Sequence, residues 1–363
     1  ALAAHGKKVS SSPLKNVFFG EIFDGISLSE AKSILWGMPE ILSIHEDFEV
    51  KLHMNETNPL IGSTRVRPLT QGGECNPALG ECYDGEGVVI AVIDTGVDYR
   101  HESFGSCANT NNINLGTCPK VIGGFDFKNN DANPMDSQGH GTHVAGVAAG
   151  DGQDYLGVAP KAKILAFKVG NEGLLSGQAI FNSIDRAADP NQDGDFSDRA
   201  DILNMSFGSF GDPDDIFSEK IDAAVNAGFV VVVSAGNSGP KSVNADPLCW
   251  HDTTNLNSPA NNNDGIIENG SWNSVCSPGS ARNAIAVAAT YDENFGEYKP
   301  HGEPTAVDKV ANFSSRGPMI WRDAAGVRQE IAKPDISAPG PLLCSSKWSG
   351  DVDHTKCVSE NPR

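Results

Sequence analysis

"GVVIAVIDTG" spans Gly87–Gly96, with six consecutive apolar residues, Val88–Ile93, ending at Asp94-Thr95-Gly96. A short apolar run closed by turn residues reads as a strand buried on both faces, the kind a parallel sheet needs. Three other runs share that texture: "AKILAFKV" (Ala162–Val169), "ADILNMSFG" (Ala200–Gly208) and "GFVVVVSAGN" (Gly228–Asn237). Between them lie stretches of helical character: "HGTHVAGVAAG" (His140–Gly150), "SGQAIFNSIDRAA" (Ser176–Ala188) and "FSEKIDAAVNAG" (Phe217–Gly228). Strands alternating with helices predict an α/β fold whose mostly parallel sheet is covered on both faces. Such sheets gather functional groups beyond the carboxyl ends of their strands. Asp94, Ser206 and Asn237 each follow an apolar strand, so they are the first candidates.

Composition narrows the class. Across 363 residues, 47 acidic side chains outweigh 27 Lys and Arg, for a net charge of −20. That balance argues against nucleic acid as a partner, since phosphate binding needs clustered cations. No apolar run approaches the length of a membrane span. The chain opens "ALAAHGKKVSSS", without Met or the apolar core of a signal peptide, which reads as a front already removed or an internal piece. Eight cysteines fall into four neighbouring pairs: Cys75 with Cys82, Cys107 with Cys118, Cys249 with Cys276, and Cys344 with Cys357. Local bridges between those neighbours are expected, and with them an oxidising, secreted setting.

Residues 16–52 form a separate pattern. "NVFFGEIF" reads as a strand. "SLSEAKSILWGM" begins with Ser27 and Glu30 in capping-box spacing and carries Leu28, Ala31, Ile34 and Leu35 on one helical face. "EILSIHEDFEVKL" then reads as extended, and the polar stretch 53–74 as a linker.

Taken singly, the candidate residues are ambiguous. Asp94 at the mouth of a buried strand suits a helix cap, a turn or a catalytic carboxylate. "DTG" also occurs in aspartic proteases, but they need two carboxylates sharing a proton, and the chain has a single DTG. His140 and His143 stand at helical i, i+3 spacing and suit metal ligands or structural histidines, although HExxH, with its Glu, is absent.

The order of motifs resolves this. "AVIDTGVDYRH", "GHGTHVAGVAAG", "LNMSFG", "VVVVSAGNSGP", "VANFSSRGP" (Val310–Pro318) and "KPDISAPG" (Lys333–Gly340) follow one another along the chain. In this the chain resembles the subtilisin-like serine proteases, the subtilases, and residues 16–52 resemble the end of the inhibitor-type prosegment that precedes their catalytic domains. The resemblance implies a subtilisin-like three-layer α/β sandwich with a mostly parallel sheet over residues 55–363. A partial, small α+β prosegment over 1–54 would precede it and inhibit its own enzyme until cut near Leu52–Thr57. It implies that Asp94 orients the general base His140, that His143 is structural, and that Asn237 donates to the oxyanion. Ser206, Phe207 and Gly208, with Ser234, Ala235 and Gly236, would flank a polypeptide substrate.

The chemistry suits those roles. A serine hydroxyl needs a neighbouring base, imidazole has a suitable pKa, and a buried carboxylate fixes its tautomer. In the family the nucleophile lies in a "GTS" stretch after "APG". Here "PLLCSSKWSGDVDHTKCVSENPR" follows, and none of Ser345, Ser346, Ser349 or Ser359 stands in that context. The nucleophile is therefore expected beyond Arg363; the alternative is a non-catalytic pseudoprotease or calcium-binding module that keeps the fold.

"ADPNQDGDFSDRAD" places Asp189, Asn191, Asp193 and Asp195 at alternate positions with Gly194 after the third, as in an EF-hand-like loop. The late Glu of such a loop is replaced by Ala200, and Asp198 is the substitute ligand. Structural Ca²⁺ is expected there, a solvated acidic turn being the alternative, and no organic cofactor. The small, apolar pocket segments lean toward apolar or aromatic substrate side chains.

Overall fold

A computed structural model describes residues 6–12, 17–22, 58, 60–69, 73–78, 80–114, 116–152, 156–171, 174–239, 249, 273–291, 310–341, 343–346 and 357–359. The chain divides into two compact units, Ala1–Lys51 and Leu52–Arg363. In the first, β1 (Gly6–Ser12) pairs antiparallel with β2 (Val17–Ile22). β2 lies within the stretch read as a strand, while the helix and second strand expected across 27–52 lie outside the described residues.

The second unit is built on a seven-stranded sheet. Its strands are β3 (Val89–Asp94), β4 (Val121–Asp126), β5 (Lys163–Lys168), β8 (Ile202–Met205), β9 (Val230–Ser234), β10 (Ile285–Thr290) and β13 (Ile336–Pro339). They run in the order β13-β10-β9-β8-β3-β5-β4, and every neighbouring pair is parallel. Four small strand pairs lie outside it. β6 (Gly170–Asn171) pairs with β7 (Leu174–Leu175), β11 (Met319–Arg322) with β12 (Arg328–Ile331), and β14 (Cys344–Ser346) with β15 (Cys357–Ser359); the fourth is β1 with β2.

Five helices are described: α1 (Ser63–Val66), α2 (Thr110–Asn114), α3 (His140–Ala149), α4 (Gly177–Ala188) and α5 (Ile216–Asn226). The longest two start at side-chain caps. Ser176 Oγ accepts from Ala179 N, and Asp215 Oδ1 accepts from Ser218 N at 2.7 Å, satisfying amides that no earlier helical turn can pair.

Side chains alternate across a strand, and β3 shows the result as three layers. Ala91 and Ile93 enter a core shared with Ile180 and Ile184 of α4 and Ile221 and Ala224 of α5. Ile90 and Val92 point the other way, into a core with Ala145 and Ala149 of α3. β5 repeats the division, with Leu165 and Phe167 on the α4/α5 side and Ile164 and Ala166 on the α3 side. The α/β sandwich with a mostly parallel sheet is thus the observed architecture.

Disulfides join Cys75 to Cys82, Cys107 to Cys118 and Cys249 to Cys276, as neighbour pairing anticipates. For the fourth pair only the backbone is described. It places Cys344 opposite Ser359 and Cys357 opposite Ser346, in adjacent strands.

Candidate active site

Strand alternation decides where Asp94 points. It shares parity with Ile90 and Val92, so it emerges on the side of α3, whose first residue is His140. Asp94 Oδ1 lies 2.7 Å from His140 Nδ1 and accepts a second bond, also 2.7 Å, from Thr95 N. Asp94 is 1% exposed, whereas the His140 side chain is 33% exposed. The carboxylate is thus inside and the imidazole at the rim. Among the described residues, Asp94 Oδ2 is buried with no hydrogen-bond partner. A buried carboxylate bonded to one ring nitrogen fixes the orientation of the ring and leaves the other nitrogen to face the rim.

The helix reaches this position because residue 141 is glycine. A Cβ there would stand 2.1 Å from the carbonyl oxygen of Gly96 and 3.1 Å from Asp94 Cβ. No larger residue lets α3 approach the end of β3 so closely.

No side chain of the N-cap residue, Gly139, closes the start of α3. Its amides are met from outside: His140 N donates to Gln138 Oε1 at 2.8 Å and Gly141 N to Thr95 Oγ1 at 3.0 Å. The largest share falls to Asp136, which is 2% exposed. Its Oδ1 accepts from Thr95 Oγ1 (3.0 Å), Gln138 N (2.8 Å) and Gly139 N (2.9 Å). Its Oδ2 accepts from Thr142 N (2.9 Å) and Thr142 Oγ1 (2.6 Å). A buried anion at the positive end of a helix is well placed electrostatically. Through Thr95 the same carboxylate ties the end of β3 to the start of α3, and so sets Asp94 against His140.

Beside His140 opens a cleft of about 180 Å³. One wall is Ser206, Phe207 and Gly208, leaving β8; the other is Ser234, Gly236 and Asn237, leaving β9. These strands are adjacent and parallel, so their carboxyl ends deliver both walls side by side. Ser234 Oγ donates to Phe207 O across the gap at 3.3 Å. Of the residues singled out from sequence, Ala235 stands apart. Its side chain is buried, its N donates to Val287 O and its O accepts from Cys276 N, both at 2.9 Å. It holds the wall from behind and does not face the cleft.

His143 lies on the inner side of α3, with Nε2 3.1 Å from Leu343 O. Ser345 Oγ donates to His143 O at 2.6 Å, so that serine is engaged on the flank of α3. In the acidic loop, Asp189 Oδ1 and Oδ2 accept from Asp193 N and Gly194 N, Asp193 Oδ1 from Asp195 N, and Asp195 Oδ1 from Ser197 N. Asn191 Oδ1 also accepts from Asp193 N. Asp198 ends the short 3-10 turn that follows. The donor chemistry, all oxygen and exposed, suits a hard cation. Even so, no group of three or more His, Cys, Asp or Glu side chains among the described residues is placed to hold a metal ion.

Asp136, Thr95 and the cysteines that line the cleft, Cys249 and Cys276, were not anticipated from sequence. Asp136 carried a faint signal, an acidic residue just ahead of a helix start. The cysteines carried none, because nothing local ties Cys276 to Gly208 or Gly236.

The profile of the subtilase family matches residues 85–361. Serine protease AprX of Bacillus subtilis (strain 168) is 30% identical over 73% of this chain and 49% of its own length. Minor extracellular protease Vpr of the same strain is 34% identical over 71% of this chain and 26% of its own. Thermitase of Thermoactinomyces vulgaris is 31% identical over 70% of this chain and 83% of its own. The chain thus spans about half or less of the first two relatives. With the match running from just before β3 through β15, the chain belongs to the subtilase family.

Proposed function

We propose that this protein is a secreted serine-type endopeptidase acting on polypeptides. The observation that carries the reading is the 2.7 Å contact between buried Asp94 and His140 at the rim of a cleft walled by two strand ends.

The geometry supports the following roles. Asp94, bonded to Nδ1, fixes the tautomer and orientation of His140, so Nε2 is the nitrogen that exchanges protons with the reacting groups. His140 takes the proton from a serine hydroxyl as the hydroxyl attacks the scissile carbonyl, and later returns it to the leaving amine. The negative charge of Asp94 stabilises the imidazolium in between. Asn237, on the cleft lining with His140, donates its side-chain amide to the oxyanion that forms. The backbone of Ser206–Gly208 and Ser234–Gly236 takes up an extended peptide by strand addition.

The nucleophile is a serine beyond Arg363. The engagement of Ser345 Oγ by His143 O, on α3 but away from the cleft lining, supports looking elsewhere for it. Residues 1–54 belong to an inhibitory prosegment. The oxygen-rich loop Asp189–Asp198 takes up structural Ca²⁺, gathering its carboxylates on binding. No described helix is long and apolar enough to cross a membrane.

The natural protein, carried through its downstream sequence, is expected to degrade casein, and His140→Ala to lower that activity at least about a hundredfold. Unchanged activity in the variant refutes the reading.

A further inference from the structure

Asn237 is exposed on the cleft lining, but the chain that carries it is not. Ser238, the next residue, is 1% exposed. Gly236, the one before, has a φ of +105°, a left-handed conformation that side chains rarely adopt. A Cβ there would also overlap the sulfur of Cys276 and stand 2.9 Å from Ser315 Oγ. The chain thus leaves β9 through a glycine-only turn, and the direction of Asn237 depends on what holds that turn.

Ser315, in the stretch Val310–Pro318, holds it at two points. Its N donates to Gly236 O at 2.9 Å. Its Oγ accepts from Ser238 N at 3.0 Å. The first bond fixes the peptide plane before Asn237, and the second fixes the plane after it. A residue has only two soft backbone dihedrals, so fixing both planes fixes the direction of its Cα–Cβ bond. Only the side-chain torsions of Asn237 remain free. Ser315 is itself buried, and its segment is fastened to the sheet. Ala311 N donates to Ala289 O at 2.8 Å, and Ala289 N to Ser314 Oγ at 3.0 Å, in the strand β10 that adjoins β9. Gly239 N donates to Phe313 O at 2.8 Å, which extends the clamp past Asn237.

We propose that Ser315 is a positioning residue: by clamping the peptide planes on both sides of Asn237, it aims the side-chain amide at the oxyanion. This rests on the endopeptidase reading above and on Asn237 as its oxyanion donor. Such a donor works by preorganisation, because it must already point to where negative charge will develop. An amide on an unclamped, exposed turn has to be ordered during the reaction, which subtracts from its effect. Replacing Ser315 by alanine removes Oγ alone. The bond from residue 315 N to Gly236 O survives, so the wall that receives the peptide backbone keeps its anchor. Ser238 N loses this acceptor, and the plane after Asn237 is released. The loss therefore falls on the transition state and not on substrate binding.

The test uses the natural full-length protein, its downstream sequence included, with one chromogenic peptide and at a temperature where circular dichroism shows each variant folded. Asn237→Ala is expected to lower kcat at least about a hundredfold. Ser315→Ala should lower kcat about tenfold, with KM within about twofold of wild type. Added to Asn237→Ala, it should lower kcat by less than about twofold further, because no amide is then left to aim. A merely structural serine would cost the same factor in both backgrounds. Ser315→Cys, close in size but with a weak acceptor, should show the same split to a smaller degree, and is read in place of the alanine variant if that one does not fold. Unchanged kcat in a folded Ser315 variant overturns the proposal, as does an equal loss with and without Asn237. A wild type that cleaves no peptide, or undiminished kcat in Asn237→Ala, overturns the reading beneath the proposal and the proposal with it.

Discussion

Asp136→Asn is the most informative single change, because it keeps the shape of a buried side chain and alters only its charge and acceptors. The carboxylate holds five donors, three on Oδ1 and two on Oδ2. The amide oxygen of Asn takes the three-donor position, which leaves the NH₂ facing Thr142. The Thr142 hydroxyl can rotate to accept from it; the Thr142 amide cannot and loses its partner. An orphaned buried amide costs about 2 kcal/mol. The three remaining bonds fall from charge-assisted to neutral, each by about 0.5–1 kcal/mol. The total is about 3.5–5 kcal/mol. With a urea m-value of about 3 kcal/mol/M, the upper end for small proteins, the midpoint should drop by about 1–2 M. Peptide hydrolysis at a temperature where the variant stays folded should also fall, because Thr95 and the first amides of α3 position Asp94 and His140. A midpoint within about 0.3 M of wild type, or full activity, would refute the assignment of Asp136 as the tie between β3 and α3.

Three further outcomes are expected. Gly141→Ala drives a methyl into the Gly96 carbonyl and should cost about 3 kcal/mol in chemical denaturation, with loss of hydrolysis. Lys120 is buried against Pro160 O, and burial pushes its ammonium pKa down to about 8 from 10.5. The folded protein therefore releases this proton before the unfolded chain does, so stability should rise with pH between about 8 and 10.5. Unfolding measured for wild type and Lys120→Met at pH 7 and pH 9.5 should show wild type gaining on the variant at the higher pH. Calorimetry of the folded protein should show Ca²⁺ binding that Asp193→Ala removes, and identical flat titrations would leave the Asp189–Asp198 loop as a plain acidic turn.

The interior of the sheet was legible because β3 and β5 carry apolar runs buried on both faces, while β8 and β9 are largely apolar stretches whose alternate residues are buried. The strands that sequence reasoning passed over lie toward the sheet's margins. β4 is an edge strand whose Gly123 and Gly124 dilute its apolar signal; a Cβ on Gly124 would stand 2.3 Å from Ala166 O. β13, at the other edge, is half-exposed and ends in Pro339. β10, "IAVAAT", is so rich in alanine that its period fits a helix as well as a strand. In the site, Asp94 and His140 could be read from a strand end, a helix start and the motif order. Asp136 and Cys276 could not, because their roles arise from contacts that only the folded chain creates.

The central claim is that Asp94 and His140 activate a serine that lies outside residues 1–363. Its most direct test is fluorophosphonate labelling of the natural protein carried through its downstream sequence, with the modified residue located by peptide mapping. One labelled serine beyond Arg363 is expected, with His140→Ala reducing the labelling rate at least about a hundredfold. Labelling at Ser345, Ser346, Ser349 or Ser359, or an undiminished rate in the His140 variant, would contradict it.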